Sequence, residues 1–236
     1  MIKAIMFDLD GTLVPLKDDE FIKAYFSLLC KKLMPVGYDK DLLIKTVMEG
    51  DKLMRLNDGK QTNEVVFWNH FAEVYGDEKR ADERIFHEFY LNEFKQIQVV
   101  AGQNDKAREV IDFCKSKGLK LIVATSPVFP VEAMVARLGF VGLKEDEFDY
   151  ITSYETCSYS KPNPKFFEEI LAKNGLSADE VLYFGNSEKD DGIPATAVGI
   201  KSFMVGNQII VDENNPNKFK HYDFDEIIDI IDENTK

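Results

Sequence analysis

Asp8 and Asp10 stand one residue apart at the end of a nearly continuous apolar run, Ile2-Lys3-Ala4-Ile5-Met6-Phe7, and are followed by Gly11-Thr12. In an extended chain, residues two apart project to the same side, so both carboxylates can face one site. Two acids that close repel, which favours either a shared proton or a divalent cation between them. Gly11 allows a sharp turn and a close approach of backbone to ligand. The same residues also make an ordinary acidic turn after a strand. Three later segments carry polar groups in comparable places. Leu121-Ile122-Val123-Ala124 runs into Thr125-Ser126 ahead of a helical pattern. Hydroxyls and free N–H groups at a helix start make an anion site, or simply a helix cap. Lys161 lies in Ser160-Lys161-Pro162-Asn163-Pro164, where the prolines stiffen the backbone and the ammonium can meet a phosphate. The loop from Gly185 to Gly192 is rich in oxygen donors, among them Asn186, Asp190 and Asp191, and suits Mg²⁺ or is an ordinary acidic loop.

The elements that must position these groups fall into two kinds. The apolar run before Asp8 reads as a buried parallel strand, with the acids at its carboxyl end. Residues 16–96 carry helical periodicity only: Asp19–Leu33, Lys40–Leu56, Thr62–Tyr75 and Asp82–Phe94. Four helices on short links predict a small helical bundle inserted into the chain. Past Gln98 the pattern alternates. Strands are expected at Leu119–Ala124, Phe148–Thr152, Glu180–Phe184 and Ile200–Val205. Helices are expected at Asp105–Lys117, Pro130–Leu138, Pro164–Asn174, Ile193–Val198 and Phe224–Ile231. The fold class is therefore α/β: a Rossmann-like, doubly wound parallel sheet core from residues 1–15 and 97–236, with an all-helical domain at 16–96.

A formal net charge of −13 disfavours nucleic acid and anionic membrane surfaces as partners, and obliges any phosphate site to make its positive potential locally. Cys30, Cys114 and Cys157 are too scattered for a disulfide framework and read as small buried hydrophobes in a reducing compartment. Acids interrupt the first apolar run, and no segment has the length of a membrane span, so a cytoplasmic location is expected. Tyr25, Arg55, Trp68, His70 and the aromatic residues from Phe86 to Tyr90 are candidate contacts from the helical domain, but aromatics at helical spacing read first as core.

Taken in order, the four polar segments resemble the four motifs of the haloacid dehalogenase superfamily, whose members are mostly phosphatases. Asp8-Leu9-Asp10-Gly11-Thr12 matches the first motif in full, Thr125 the second, Lys161 the third, and Gly185 to Asp191 the fourth in part. The resemblance extends over the whole chain, because a helical insertion between the first and second motifs is a family arrangement. It implies Asp8 as nucleophile, Asp10 as general acid and base, and Thr125, Ser126 and Lys161 as holders of the phosphoryl oxygens. It also implies a Mg²⁺ cofactor held by Asp8, Asp10, Asn186 and Asp191, with the helical domain as a cap over a small phosphorylated metabolite. Asn186 departs from the family's usual Asp and offers one neutral oxygen, which predicts weaker metal affinity. Asp10 disfavours a dehalogenase, since a halide needs no proton. A phosphomutase keeps all the motifs, and a non-catalytic phospho-ligand-binding protein is the alternative from another class.

Overall fold

A computed structural model describes residues 1–215 and 218–236. Its centre is a six-stranded parallel sheet: β1 (Ala4–Phe7), β2 (Lys120–Val123), β3 (Tyr150–Ile151), β4 (Val181–Gly185), β5 (Lys201–Val205) and β6 (His221–Tyr222), in the order β3-β2-β1-β4-β5-β6. The first strand is thus central, between β2 and β4. Its register pairs Phe7 with Val123 on one side and Phe184 on the other, so three strands end level with one another just before their polar residues. The ladder continues into Asp8, whose N–H donates to Phe184 O at 2.8 Å, and into Ala124, whose N–H donates to Phe7 O at 2.7 Å.

Period-two alternation divides the strands between two apolar layers. Ile5 and Phe7 join Leu121, Val123, Leu182 and Phe184 in the larger core, while Ala4 and Met6 join Ile122, Val181 and Tyr183 in the smaller one. The smaller layer is closed by α7 (Lys165–Asn174) through Phe166, Phe167 and Ile170. The larger one meets α5 (Asp105–Ser116), α6 (Val131–Phe140) and α9 (Ile227–Asn234). A short α8 (Ile193–Ala197) completes the crossover from β4 to β5.

Between β1 and β2 lie α1 (Asp18–Leu33), α2 (Lys40–Arg55), α3 (Asn63–Tyr75) and α4 (Glu83–Leu91), with no strand among them. In α1, Phe21, Tyr25, Leu29 and Leu33 recur every fourth residue and are all buried. Burial of such side chains is worth about 1.5–3 kcal/mol each. Phe129, from the loop after β2, inserts against this face, 5.6 Å from Phe21 and 5.4 Å from Tyr25 between ring centroids. Asp39 and Thr62 cap α2 and α3, accepting from the N–H groups of Leu42 and Val65.

Two expectations need correction here. The fourth helix ends at Leu91 rather than Phe94, because the Asn92 side chain turns back to donate to Glu88 O at 2.7 Å and the chain continues as 3₁₀ turns over Glu93–Val100. The strand β6 escaped prediction: two residues beside lysines carry no readable period, and only its pairing with β5 defines it. No described helix is long and apolar enough to cross a membrane.

Candidate active site

The level strand ends deliver Asp8, Thr125 and Asn186 to one edge of the sheet, where they line a cavity of about 290 Å³ together with Asp10, Ser126, Lys161 and Asp191. All seven residues to which the resemblance gives a role therefore lie around one cavity. The turn after β1 is tight: Gly11 N–H donates to Val14 O at 2.8 Å and Val14 N–H to Leu9 O at 2.9 Å. Gly11 has φ +79°, and a Cβ there would lie 2.2 Å from Asn186 Nδ2. Only glycine fits, both for conformation and for the approach of the first loop to the fourth.

Lys161 is the hub. It is 2% exposed, and its three donor hydrogens meet Asp8 Oδ1 at 2.7 Å, Asp191 Oδ1 at 2.6 Å and the Tyr183 hydroxyl at 2.7 Å. Burial opposes the charge, but Asp191 and Asp8 more than offset it, and the pKa of Lys161 stays above its ordinary value. Burial lifts Asp8 to about 7 against the pull of Lys161, and its other oxygen has only a 3.4 Å contact from the Thr12 hydroxyl. Tyr183 donates to Asp191 Oδ1 at 2.5 Å, and burial beside that carboxylate keeps the phenol protonated.

Asp10 sits at the cavity wall, ion-paired with the Arg137 guanidinium. Arg137 is buried in α6 and lies over the rings of Phe129 and Phe21, at 5.1 and 5.5 Å. Burial raises the pKa of Asp10 while Arg137 lowers it, and the net direction is upward. Its second oxygen, Oδ1, is buried without a hydrogen-bond partner. That leaves one atom of Asp10 free to carry a proton toward a ligand.

The Thr125-Ser126 expectation needs adjustment. Both residues line the cavity, but α6 starts at Val131, beyond Pro127 and Pro130, and its first N–H points to Glu155 Oε1 at 3.3 Å. The two prolines hold the connection extended, so the hydroxyls stand in a loop rather than in the first turn of a helix. Asp191, expected beside a metal, has both oxygens engaged. Oδ1 takes Lys161 and Tyr183; Oδ2 accepts from the N–H groups of Asn186 and Ser187, at 3.1 and 2.9 Å. It braces the loop that presents Asn186. The Asn186 amide donates from Nδ2 to Gln208 O at 2.9 Å, a bond no carboxylate could make, and this orients Oδ1 as the remaining acceptor.

For a cation, this is an all-oxygen donor set. No three His, Cys, Asp or Glu side chains converge among the described residues. One carboxylate, an amide oxygen, backbone carbonyls and water suit a hard ion such as Mg²⁺ that retains much of its hydration. The unpartnered Asp10 Oδ1 fits the same picture, as a polar atom left for an incoming group.

Three contributors were not anticipated. Arg137 is a lone cation in an apolar helix, and Tyr183 reads as a strand residue. Asn63 is fully buried, and its Nδ2 donates both to Pro127 O at 2.9 Å and to Ser160 Oγ at 3.1 Å. It thereby links the helical segment to the loops carrying Ser126 and Lys161. Of the helical-domain candidates, Tyr25 and Arg55 line the cavity, whereas Trp68, Phe86 and Tyr90 are packed in the core.

A family model described as haloacid dehalogenase-like hydrolase matches residues 2–199. The human haloacid dehalogenase-like hydrolase domain-containing protein 3 is 32% identical over 46% of this chain, which spans only 40% of that protein. Glyceraldehyde 3-phosphate phosphatase of Methanothermobacter thermautotrophicus is 26% identical over 89% of this chain and 88% of its own. Among solved structures, a HAD phosphatase from Thermococcus onnurineus superposes with a TM-score of 0.58 at 19% identity, covering 98% of each chain.

Proposed function

The chain belongs to the haloacid dehalogenase-like hydrolases, and we propose that this member is a Mg²⁺-dependent phosphatase acting on a small phosphorylated metabolite through an aspartyl-phosphate on Asp8. One observation carries the proposal: a buried carboxylate, Asp8, held by a buried ammonium, Lys161, at 2.7 Å, beside a second acid with one free oxygen. Phosphatase names among the relatives point the same way.

In the first step an Asp8 oxygen bonds to phosphorus as the ester P–O bond breaks, and Asp10 gives its Oδ1 proton to the leaving oxygen. In the second, Asp10 takes a proton from water, the water oxygen bonds to phosphorus, and the Asp8–phosphorus bond breaks to release phosphate. Lys161 neutralises part of the Asp8 charge throughout and, with Thr125 and Ser126, holds phosphoryl oxygens. Asp191 and Tyr183 hold Lys161, and Arg137 holds Asp10 against the cavity wall. Asp8, the Asp10 backbone carbonyl and Asn186 Oδ1 would hold Mg²⁺, which when bound would supply positive charge that offsets repulsion between the nucleophile and the phosphoryl group. The helices of residues 16–96 act as the cap that limits water and selects the leaving group.

The test is phosphate release from a panel of small esters, with Mg²⁺ and with chelator, for wild type and Asp8→Asn. Release that requires both the metal and Asp8 is expected. Absence of release from every ester would overturn the proposal.

A further inference from the structure

The half of the cavity that would surround the leaving group has its own charge balance. Its walls, from α1 and α2, include Ile22, Phe26, Val47 and Met48, of which Ile22 and Met48 remain 46% and 56% exposed. Among the described lining residues of the whole cavity there are six carboxylates and three cations. Lys161 is spent on Asp8 and Asp191, and Arg137 on Asp10. The third cation, Arg55, bonds Asp51 through Nε at 2.9 Å. Asp18, at the start of α1, and Asp190, in the loop after β4, line the same space, and neither has an ion-pair partner among the described residues.

Both members of the Arg55–Asp51 pair are about two-fifths exposed, so the bond itself is weak and Arg55 is free to turn toward a ligand. Turning does not alter the sum. Whatever Arg55 touches, Asp51 stays beside it and Asp18 adds a further negative charge. A leaving group with its own carboxylate or second phosphate would enter an apolar chamber that stays net negative, because the charge of Arg55 is already offset by Asp51. We propose, resting on the phosphatase reading, that the substrate is a monoester whose leaving group is small and carries no second negative charge, and that Asp18 and Asp51 enforce this choice. Neutral hydroxylated or carbonyl-bearing leaving groups meet the condition. A volume of about 290 Å³ stands at the low end of ligand cavities and limits the size of the whole ester.

Pairs of esters matched in size and differing in charge test this. Hydroxyethyl phosphate is set against phosphoglycolate, and glycerol phosphate against phosphoglycerate, each assayed with Mg²⁺ for phosphate release and for protection of the protein against thermal unfolding. The neutral member of each pair is expected to lead by about tenfold or more in kcat/KM, the size that a like charge across a partly solvated cavity gives. It is also expected to give the larger thermal shift. Asp51→Asn, which leaves Arg55 without its carboxylate, is expected to shrink the ratio severalfold, and Asp18→Asn combined with it further. Equal performance within each pair, including no shift with either member, or a preference for the anionic ester, would overturn the proposal. A thermal shift favouring the neutral ester without phosphate release from any ester would uphold the charge rule and refute the phosphatase reading, so the two failures are distinguishable.

Discussion

Tyr183→Phe is the sharpest test of how the site is held together, because it removes one oxygen and leaves the ring. The ring keeps its packing against Phe167, 4.9 Å away between centroids. What goes is the donor to Asp191 Oδ1 at 2.5 Å and the acceptor for the third hydrogen of Lys161 at 2.7 Å. All three groups are buried, so no water replaces the lost oxygen at low cost. Hydrogen bonds to charged groups contribute about 1.5–3 kcal/mol, and leaving a buried ammonium hydrogen unmet falls in the same range. A loss of about 2 kcal/mol corresponds to a Tm lowered by roughly 4–8 °C for a chain of this size. Lys161 also gains freedom to move off Asp8, and kcat/KM for the best ester should fall on the order of tenfold, mostly in kcat. Thermal unfolding and steady-state phosphate release measure the two effects. A Tm within about 1 °C of wild type together with kcat/KM within about twofold would refute the claim that Tyr183 holds Lys161 in place.

Asn63→Ala removes the fully buried amide that bonds Pro127 O and Ser160 Oγ; about 2–3 kcal/mol of stability should be lost in denaturant titration, with KM rising as the two loops proposed to hold phosphate lose their common tie. Asn186→Asp should lower the Mg²⁺ concentration needed for half-maximal activity while reducing metal-free stability by about 1 kcal/mol, since the bond to Gln208 O is lost; an unchanged or higher Mg²⁺ requirement would contradict the assignment of Oδ1 as a ligand. Away from the site, Arg108 and the Lys144 N–H hold the Glu147 carboxyl down at about 2. A depressed carboxylate adds stability that is complete above its unfolded pKa and is lost as pH falls from about 4.5 toward 2. Glu147→Gln should therefore cost up to about 1 kcal/mol at neutral pH, the modest value reflecting the half-exposed Arg108, and should flatten the acid limb of a stability–pH curve.

Five of the six strands were legible because each is short, apolar and closed by a glycine or a polar cluster, and because the helices between them follow the 3.6 period. The convergence of Asp8, Thr125 and Asn186 followed from that pattern alone: parallel strands in register must bring their carboxyl ends to one edge. What could not be read were pairings that depend on depth and side-chain reach. Tyr183 faces the smaller core like any strand aromatic, and only its contact with Lys161, 22 residues away in sequence, gives it a role. Arg137 interrupts an apolar helix face, a local inconsistency whose partner, Asp10, is 127 residues distant. Asn63 follows a capping threonine and looks like the polar start of a helix. Asp191 carried the opposite lesson: an acid in an oxygen-rich loop suggests a ligand, whereas here its oxygens are taken by Lys161, Tyr183 and two backbone N–H groups.

The proposed mechanism rests on Asp8 as the nucleophile that bonds to phosphorus. A single turnover with Mg²⁺ and the best ester from the panel, quenched in acid within its first phase and digested for mass spectrometry, reads this directly. The predicted result is a peptide spanning Asp8 that carries one added phosphoryl group, lost on treatment with hydroxylamine and absent from Asp8→Asn. Phosphate released at the wild-type rate by Asp8→Asn, or a phosphoryl group found on any other residue, would contradict it.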